Sequence, residues 1–432
     1  MDPLGVVVLV GAFLVLLAVG VPIAFAVGVA GAASLLLSVP AEPALTTVAQ
    51  RLATGIDSFA LLAIPLFILS GQLMNRGGSA ERLVALGRAL VGPLPGGLIF
   101  VNVVGCLLFG AVSGSAVATA AGVGAFMIPL MEREGYSREQ AAAVNITAST
   151  TGLLVPPSNV LIVYSLASGG VSIAALFLAG YVPGILVGVL IAIAAVWTSG
   201  GRSRVARWEL AELRSATLAA APSLLLVGIV MGGIVGGVFT ATEAAGVAVV
   251  YALVLGLGVY REIRIWELRS ILTEAATTTG VVLFLVAASM AMSWVMAYEN
   301  IPQAVSEAFL GLAAGPLAVL AVMNLLLLAV GTFMDMTPAV LIFTPIFLPV
   351  ALELGIDPIH FGIVMVLNLC VGLCTPPVGT VLFVGCGAAG TDLRRVLPAL
   401  LPLYIAMVVA LIVVTLVPDL SLALPRAFGF AP

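Results

Sequence analysis

The chain has 432 residues, of which 62% are hydrophobic and only 8% charged, with a formal net charge of −4. A soluble domain carries about 25% charged residues, so a water-soluble globular protein is excluded, and no nucleic-acid-binding signature is present to imply such a partner. The class is a helical membrane protein embedded in a lipid bilayer. All sixteen basic residues are arginines, and their placement in short loops says more than the net charge.

In chain order, apolar runs near the roughly 20 residues that cross a bilayer occur at Gly5–Ala18, Val21–Val39, Asp57–Met74, Ser172–Trp197, Thr217–Phe239, Thr242–Tyr260, Ala275–Tyr298 and Val396–Pro418. The first lacks a basic leader and runs straight into the second, so it reads as a retained span rather than a signal peptide. Ala44–Ala53 reads as a short interfacial helix. Two further stretches, Val84–Met131 and Gln303–Ala351, are too long for one crossing. Small polar residues interrupt each (Ser113-Gly114-Ser115; Gly331-Thr332 to Asp335), which predicts re-entrant hairpins. Ser137–Ser168 and Asp357–Ala389 each carry a glycine and a Pro-Pro pair, which predicts discontinuous helices. The organisation expected is a first repeat over 1–198 (hairpin about 84–131, broken helix about 137–168), an amphipathic cytoplasmic connector over 199–216, and a second repeat over 217–432 (hairpin about 303–351, broken helix about 357–389).

Arginine placement supports that map. With the Arg202–Arg214 loop inside and each hairpin returning to its own side, only Arg51 and Arg426 fall outside. Both termini are then extracytoplasmic. Arg202–Arg214 and Arg261–Leu272 mix arginine and glutamate with Trp208, Trp266 and leucines, as amphipathic helices at the inner interface do; solvated loops are the alternative. Cys106, Cys370, Cys374 and Cys386 lie in apolar segments, which suits small buried side chains rather than a disulfide or metal framework. His360, just after Asp357-Pro358, reads as a helix-end packing residue.

A gapless shift of 220 positions lays Ser115–Ser165 on Asp335–Gly385. It pairs Pro129 with Pro349, Gly135 with Gly355, Gly152-Leu153 with Gly372-Leu373, and Pro156-Pro157 with Pro376-Pro377. The residues kept are those that dictate backbone geometry. An odd number of crossings separates the two hairpins, so the copies are expected to be inverted, with their interrupted elements meeting near the membrane midplane.

Unwound carbonyls at that depth need a cation, water or protein partner. Carbonyl, hydroxyl and carboxylate oxygens suit a hard cation such as Na⁺, and the candidate ligands are Ser113, Ser115, Thr150, Gly152 and Val155 in the first copy and Gly331, Thr332, Asp335, Gly372 and Thr375 in the second. The half-helices that begin after the breaks carry a partial positive charge suited to a carboxylate. That makes Pro156, Pro157, Ser158, Asn159, Thr337, Pro376 and Pro377 the candidate substrate contacts. Asp335 stands out, because a carboxylate at a hairpin tip is costly without an ion or donor. Glu243 either caps the helix it opens or faces the substrate path, and capping is favoured.

The stretch Ser113–Asn159, the block FTATEAA (Phe239–Ala245) and GTFMDMTPAVLIFTPIFLP (Gly331–Pro349) with its Thr375-Pro376-Pro377 closely resemble the large membrane subunit of TRAP (tripartite ATP-independent periplasmic) transporters. The family's usual FTPTEAA stands here as FTATEAA. The resemblance implies a sodium-driven elevator, with a scaffold and a moving transport domain. It implies import of organic acids such as C4-dicarboxylates or sialic acid across a bacterial or archaeal inner membrane. It also implies a separate small membrane subunit and a periplasmic substrate-binding protein, with no cofactor beyond the coupling ion.

Two other readings are weighed against it. A stand-alone sodium/dicarboxylate carrier of similar architecture would need neither partner. An intramembrane hydrolase using Asp335 lacks a second acid at membrane depth, and the absence of a phosphate-binding loop argues against ATP as the energy source.

Overall fold

The computed structural model describes residues 3–199, 210–312 and 315–431, and these form helices without a strand among them. The first half holds α1 (Pro3–Ala18), α2 (Ile23–Ser38), α3 (Ala41–Gly55), α4 (Ala63–Arg76), α5 (Ser79–Val91), α6 (Gly97–Ser113), α7 (Ala116–Arg133), α8 (Arg138–Thr151), α9 (Asn159–Ala167) and α10 (Ile173–Thr198). The second holds α11 (Leu210–Val235), α12 (Ala241–Leu253), α13 (Leu268–Tyr298), α14 (Ile301–Leu312), α15 (Pro316–Gly331), α16 (Met336–Glu353), α17 (Pro358–Leu373), α18 (Thr380–Ala389), α19 (Leu393–Leu416) and α20 (Asp419–Ala427). The protein is an all-α polytopic membrane protein, and α10, α11, α13 and α19 are each long and apolar enough to span.

Helix starts in the two halves fall 220 residues apart: α7 and α16 begin at 116 and 336, α8 and α17 at 138 and 358, α10 and α19 at 173 and 393. The shared punctuation explains this. Gly135 and Gly355 both adopt the left-handed conformation (φ 91° and 73°) that closes the preceding helix. Ser137 and Asp357 then cap the next one, accepting from Gln140 N and Ile359 N.

Packing sorts the helices into two groups. α1–α4, α12 and α13 pack chiefly on one another, through α4 on α12 and α2 and α3 on α13, while α11 packs on α5 and α12. α6–α10 and α15–α20 form the other group, in which α7 packs on α18 as α16 packs on α9, and α8 on α19 as α10 on α17. At the centre, the Cys370 thiol donates to Thr150 O at 3.3 Å. These two residues are counterparts under the 220 offset.

Several expected boundaries differ. The long stretches from 84 and from 303 each divide before their hairpin begins: α5 ends at the Gly92-Pro93-Leu94-Pro95-Gly96 turn, and α14 lies ahead of α15. The hairpins proper are α6–α7 and α15–α16. α5 carries charges on one face, and its Arg82 lies over the Tyr260 ring at 3.9 Å and 3.3 Å from Glu262, pinning it to the α12–α13 corner. Arg261–Leu272 is not a separate amphipathic helix; after one 3₁₀ turn at Ile265–Glu267, Leu268–Leu272 form the first turn of α13. Of the Arg202–Arg214 segment, residues up to 209 lie outside the described residues, and the remainder begins α11. Ala41–Gly55 is a helix, as expected around Ala44–Ala53.

Candidate functional site

Both expected interruptions are present. α8 ends at Thr151 and α9 starts at Asn159; α17 ends at Leu373 and α18 starts at Thr380. Each break is held by a glycine crossing. A Cβ on Gly152 would sit 2.5 Å from Gly110 Cα of α6, and one on Gly372 would sit 2.6 Å from Gly331 Cα of α15. No side chain fits at such an approach, which is why the glycines recur in register.

The first tip is knitted by its own hydroxyls. Gly114 turns the chain in the left-handed region (φ 63°), Ser115 Oγ accepts from Ala118 N at 3.3 Å, and Thr119 Oγ1 donates to Ser115 O at 2.8 Å while lying 3.2 Å from Ser113 Oγ. In the second copy the tip is fastened to the break instead. Thr332 O accepts from Val378 N at 3.2 Å and Gly379 N at 3.0 Å, and Tyr404 of α19 donates through its hydroxyl to Cys374 O. Asp335 occupies the position of Ser115; its side chain makes no N-cap hydrogen bond and is exposed.

Tips and post-break helices open onto one cavity of about 420 Å³. The N-termini of α7, α9, α16 and α18 all border it, through Ala116, Asn159, Met336 and Thr380. First-turn N–H groups have no intrahelical acceptor, so a helix start carries partial positive charge. Among the described residues, Asp335 is the one ionisable side chain in the wall, and no Arg or His lines it.

The cavity brings together five expected residues: Ser113, Ser115, Asn159, Asp335 and Thr337. The others stand behind it. Thr150 is buried, its Oγ1 donating to Thr147 O at 2.9 Å. Thr375 Oγ1 donates to Val371 O at 2.7 Å, and Thr332 Oγ1 to Ala329 O at 2.7 Å. Gly152, Gly331 and Gly372 make the crossings, while Val155 packs where Gly184 of α10 leaves room. Pro156, Pro157, Pro376 and Pro377 shape the breaks and are not in the wall. Ser158 is fully buried and its Oγ has no hydrogen-bond partner; the Thr380 hydroxyl, at the cavity, is likewise unpartnered.

Four polar wall residues escape sequence reasoning: Gln72 and Asn75 of α4, Thr278 of α13 and Thr380 of α18. Their one signal is a three-residue spacing that puts Gln72 and Asn75 on the same face of an otherwise apolar helix. Glu243 is a capping residue. It accepts from Thr240 N at 2.8 Å while Thr240 Oγ1 accepts from Glu243 N at 3.3 Å, closing a capping box. His360 is buried at a helix start, with Nδ1 2.7 Å from Ser421 Oγ of α20.

Known proteins resemble this chain along its length. Residues 10–420 match the family model described as the tripartite ATP-independent periplasmic transporter, DctM component. The chain is 51% identical to the uncharacterized protein YgiK of Salmonella typhimurium, with 98% of each chain covered. It is 40% identical to the C4-dicarboxylate TRAP transporter large permease protein DctM of Pseudomonas aeruginosa, with 94% of each covered. Among solved structures, the YdaH transporter of Alcanivorax borkumensis superposes with a TM-score of 0.65 at 15% identity, covering 90% of this chain and 91% of that one, a likeness of fold alone.

Proposed function

Because this chain belongs to the family of large membrane subunits of tripartite ATP-independent periplasmic transporters and is a transport permease, not an enzyme, we propose that it imports an organic acid coupled to Na⁺. The acid class is a C4-dicarboxylate, a sialic acid or a related carboxylate, handed over by a periplasmic binding protein and moved together with a separate small membrane subunit.

One observation carries this reading. Four helix N-termini, two of hairpin arms and two of half-helices, border a single cavity whose described lining holds one carboxylate and no basic side chain. Aligned peptide dipoles can hold a carboxylate without an arginine. Asp335 would repel that anion unless a cation stands beside it, so sodium and substrate favour each other's binding. The donors are all oxygens, as a hard cation requires. Ser113, Ser115 and the carbonyls about Thr150, Gly152 and Val155 serve one ion; Asp335, Thr375 and the main chain at Gly331, Thr332 and Gly372 serve the other. Asn159, Ser158 and Thr337 face or back the carboxylate, in turns shaped by Pro156-Pro157 and Pro376-Pro377.

The copies are inverted in the membrane, a reading supported by the odd number of crossings, by the reciprocal packing of α7 on α18 and α16 on α9, and by the Cys370–Thr150 contact. The group containing both hairpins and broken helices moves as an elevator against α1–α4 and α11–α13. Both termini lie outside the inner membrane. Cysteines placed at Arg82 and Glu307 are expected to label from opposite faces; labelling from one face would reject the inversion.

The deciding experiment is uptake into proteoliposomes holding the membrane complex and its binding protein. An inward sodium gradient should drive accumulation of the acid without ATP. Equal uptake in potassium, or a requirement for ATP hydrolysis, would reject the reading.

A further inference from the structure

The part of the cavity wall built by α4 and α13 is polar but uncharged. Gln72 and Asn75 share one face of α4, both half-buried, and neither side-chain amide has a hydrogen-bond partner among the described residues. Asn75 Oδ1 lies 3.8 Å from where a Cβ on Gly122 of α7 would stand, so α7 offers no side chain there to engage the amide. On α13, which packs on α4, Thr278 Oγ1 donates to Glu274 O at 2.9 Å, which leaves its oxygen free only as an acceptor. Two amides and a hydroxyl therefore present uncommitted donors and acceptors to whatever fills the space.

We infer that Gln72, Asn75 and Thr278 read the neutral end of the substrate, and that the preferred acid carries one anionic group and a hydroxylated or keto-bearing remainder. The inference rests on the proposed function, which puts the carboxylate at the half-helix N-termini. A second carboxylate placed against the α4–α13 wall would shed hydration and meet no basic side chain in the lining, the nearby Arg76 being paired with Glu274, an uncompensated cost. A hydroxyl or keto oxygen there exchanges water for amide at little cost. A site built to hydrogen-bond such a group also disfavours an analogue lacking it, because the amides are then left dry and unpaired.

The test uses the purified membrane complex in detergent with sodium, and three acids matched in carbon number: butanoate, butanedioate and 2,3,4-trihydroxybutanoate. The readout is the concentration of each that half-maximally raises the melting temperature. The trihydroxy acid should act at about one tenth the concentration of either other acid. The pair Gln72→Leu and Asn75→Leu should bring that ratio close to one, and Asn75→Ser should retain part of it. Equal or better binding of butanedioate to the native protein overturns the proposal, and this comparison stands even if the leucine pair fails to fold. An unchanged ratio in the leucine pair, or a uniform loss for all three acids, overturns it too. If none of the acids shifts melting in sodium, the organic-acid reading itself fails, and the inference with it.

Discussion

The two tip-and-break junctions share a backbone plan and differ in how they are tied together. In the first copy, hydroxyls of Ser113, Ser115 and Thr119 knit the hairpin tip to itself, and Gly184 of α10 leaves room beside the break. In the second, two main-chain N–H groups from the break grip Thr332 O, and Tyr404, the counterpart of Gly184 under the 220 offset, binds the carbonyl of Cys374. The same interrupted helix can thus be stabilised through side chains or through the main chain. The repeated glycines and prolines fix the interruption; the residues around them decide which carbonyls remain unpaired.

The glycine crossings provide the largest effect on which to test this contrast. Added Cβ atoms at Gly110 and Gly331 would stand 2.6 Å and 3.1 Å from the facing glycine Cα. Gly110→Ala should therefore destabilise by about 3 kcal/mol and Gly331→Ala by about 1 kcal/mol, since overpacking a tight contact costs in that range. Thermal melting of the two variants checks the order, and equal losses would show that the crossings are equivalent.

A smaller difference is expected at the paired positions 115 and 335. Asp335→Asn removes a full charge beside the proposed cation and should raise the sodium concentration for half-maximal uptake about tenfold. Ser115→Ala removes a neutral oxygen that also caps α7, and about a threefold rise is expected. Sodium titrations of uptake measure both; a larger shift for Ser115→Ala would place the stronger ion site in the first copy.

A third contrast is Tyr404→Phe, which deprives Cys374 O of its donor. Loss of one such bond should lower stability by about 1 kcal/mol, read as a modest fall in melting temperature. No change would mean that the Thr332 bonds suffice to hold the second junction.

Much of this architecture is legible in the sequence because it depends on residues with strong backbone preferences. Gly152 and Gly372, the two Pro-Pro pairs, and Gly135 and Gly355 mark breaks and helix ends wherever they occur, and the 220 offset between them exposes the repeat. The Thr240–Glu243 capping box is equally local. What depends on tertiary packing is not legible in that way. α5 and α14 are apolar enough to merge with the hairpins that follow them, and α5 is set apart only by its amphipathic face and the turn at 92–96. Gln72, Asn75 and Thr278 are ordinary residues within long apolar helices, and their meeting at one cavity depends on how α4 and α13 pack. Tyr404 gains a role only through the carbonyl it reaches.

The central claim is that an organic anion and Na⁺ bind the tip-and-break cavity together. Titration calorimetry of the acid against the membrane complex, across a series of sodium concentrations with potassium as the balancing ion, tests it most directly. Affinity should rise about tenfold for each tenfold rise in sodium per coupled ion, and Asp335→Asn should flatten that dependence. An affinity indifferent to sodium would contradict the account.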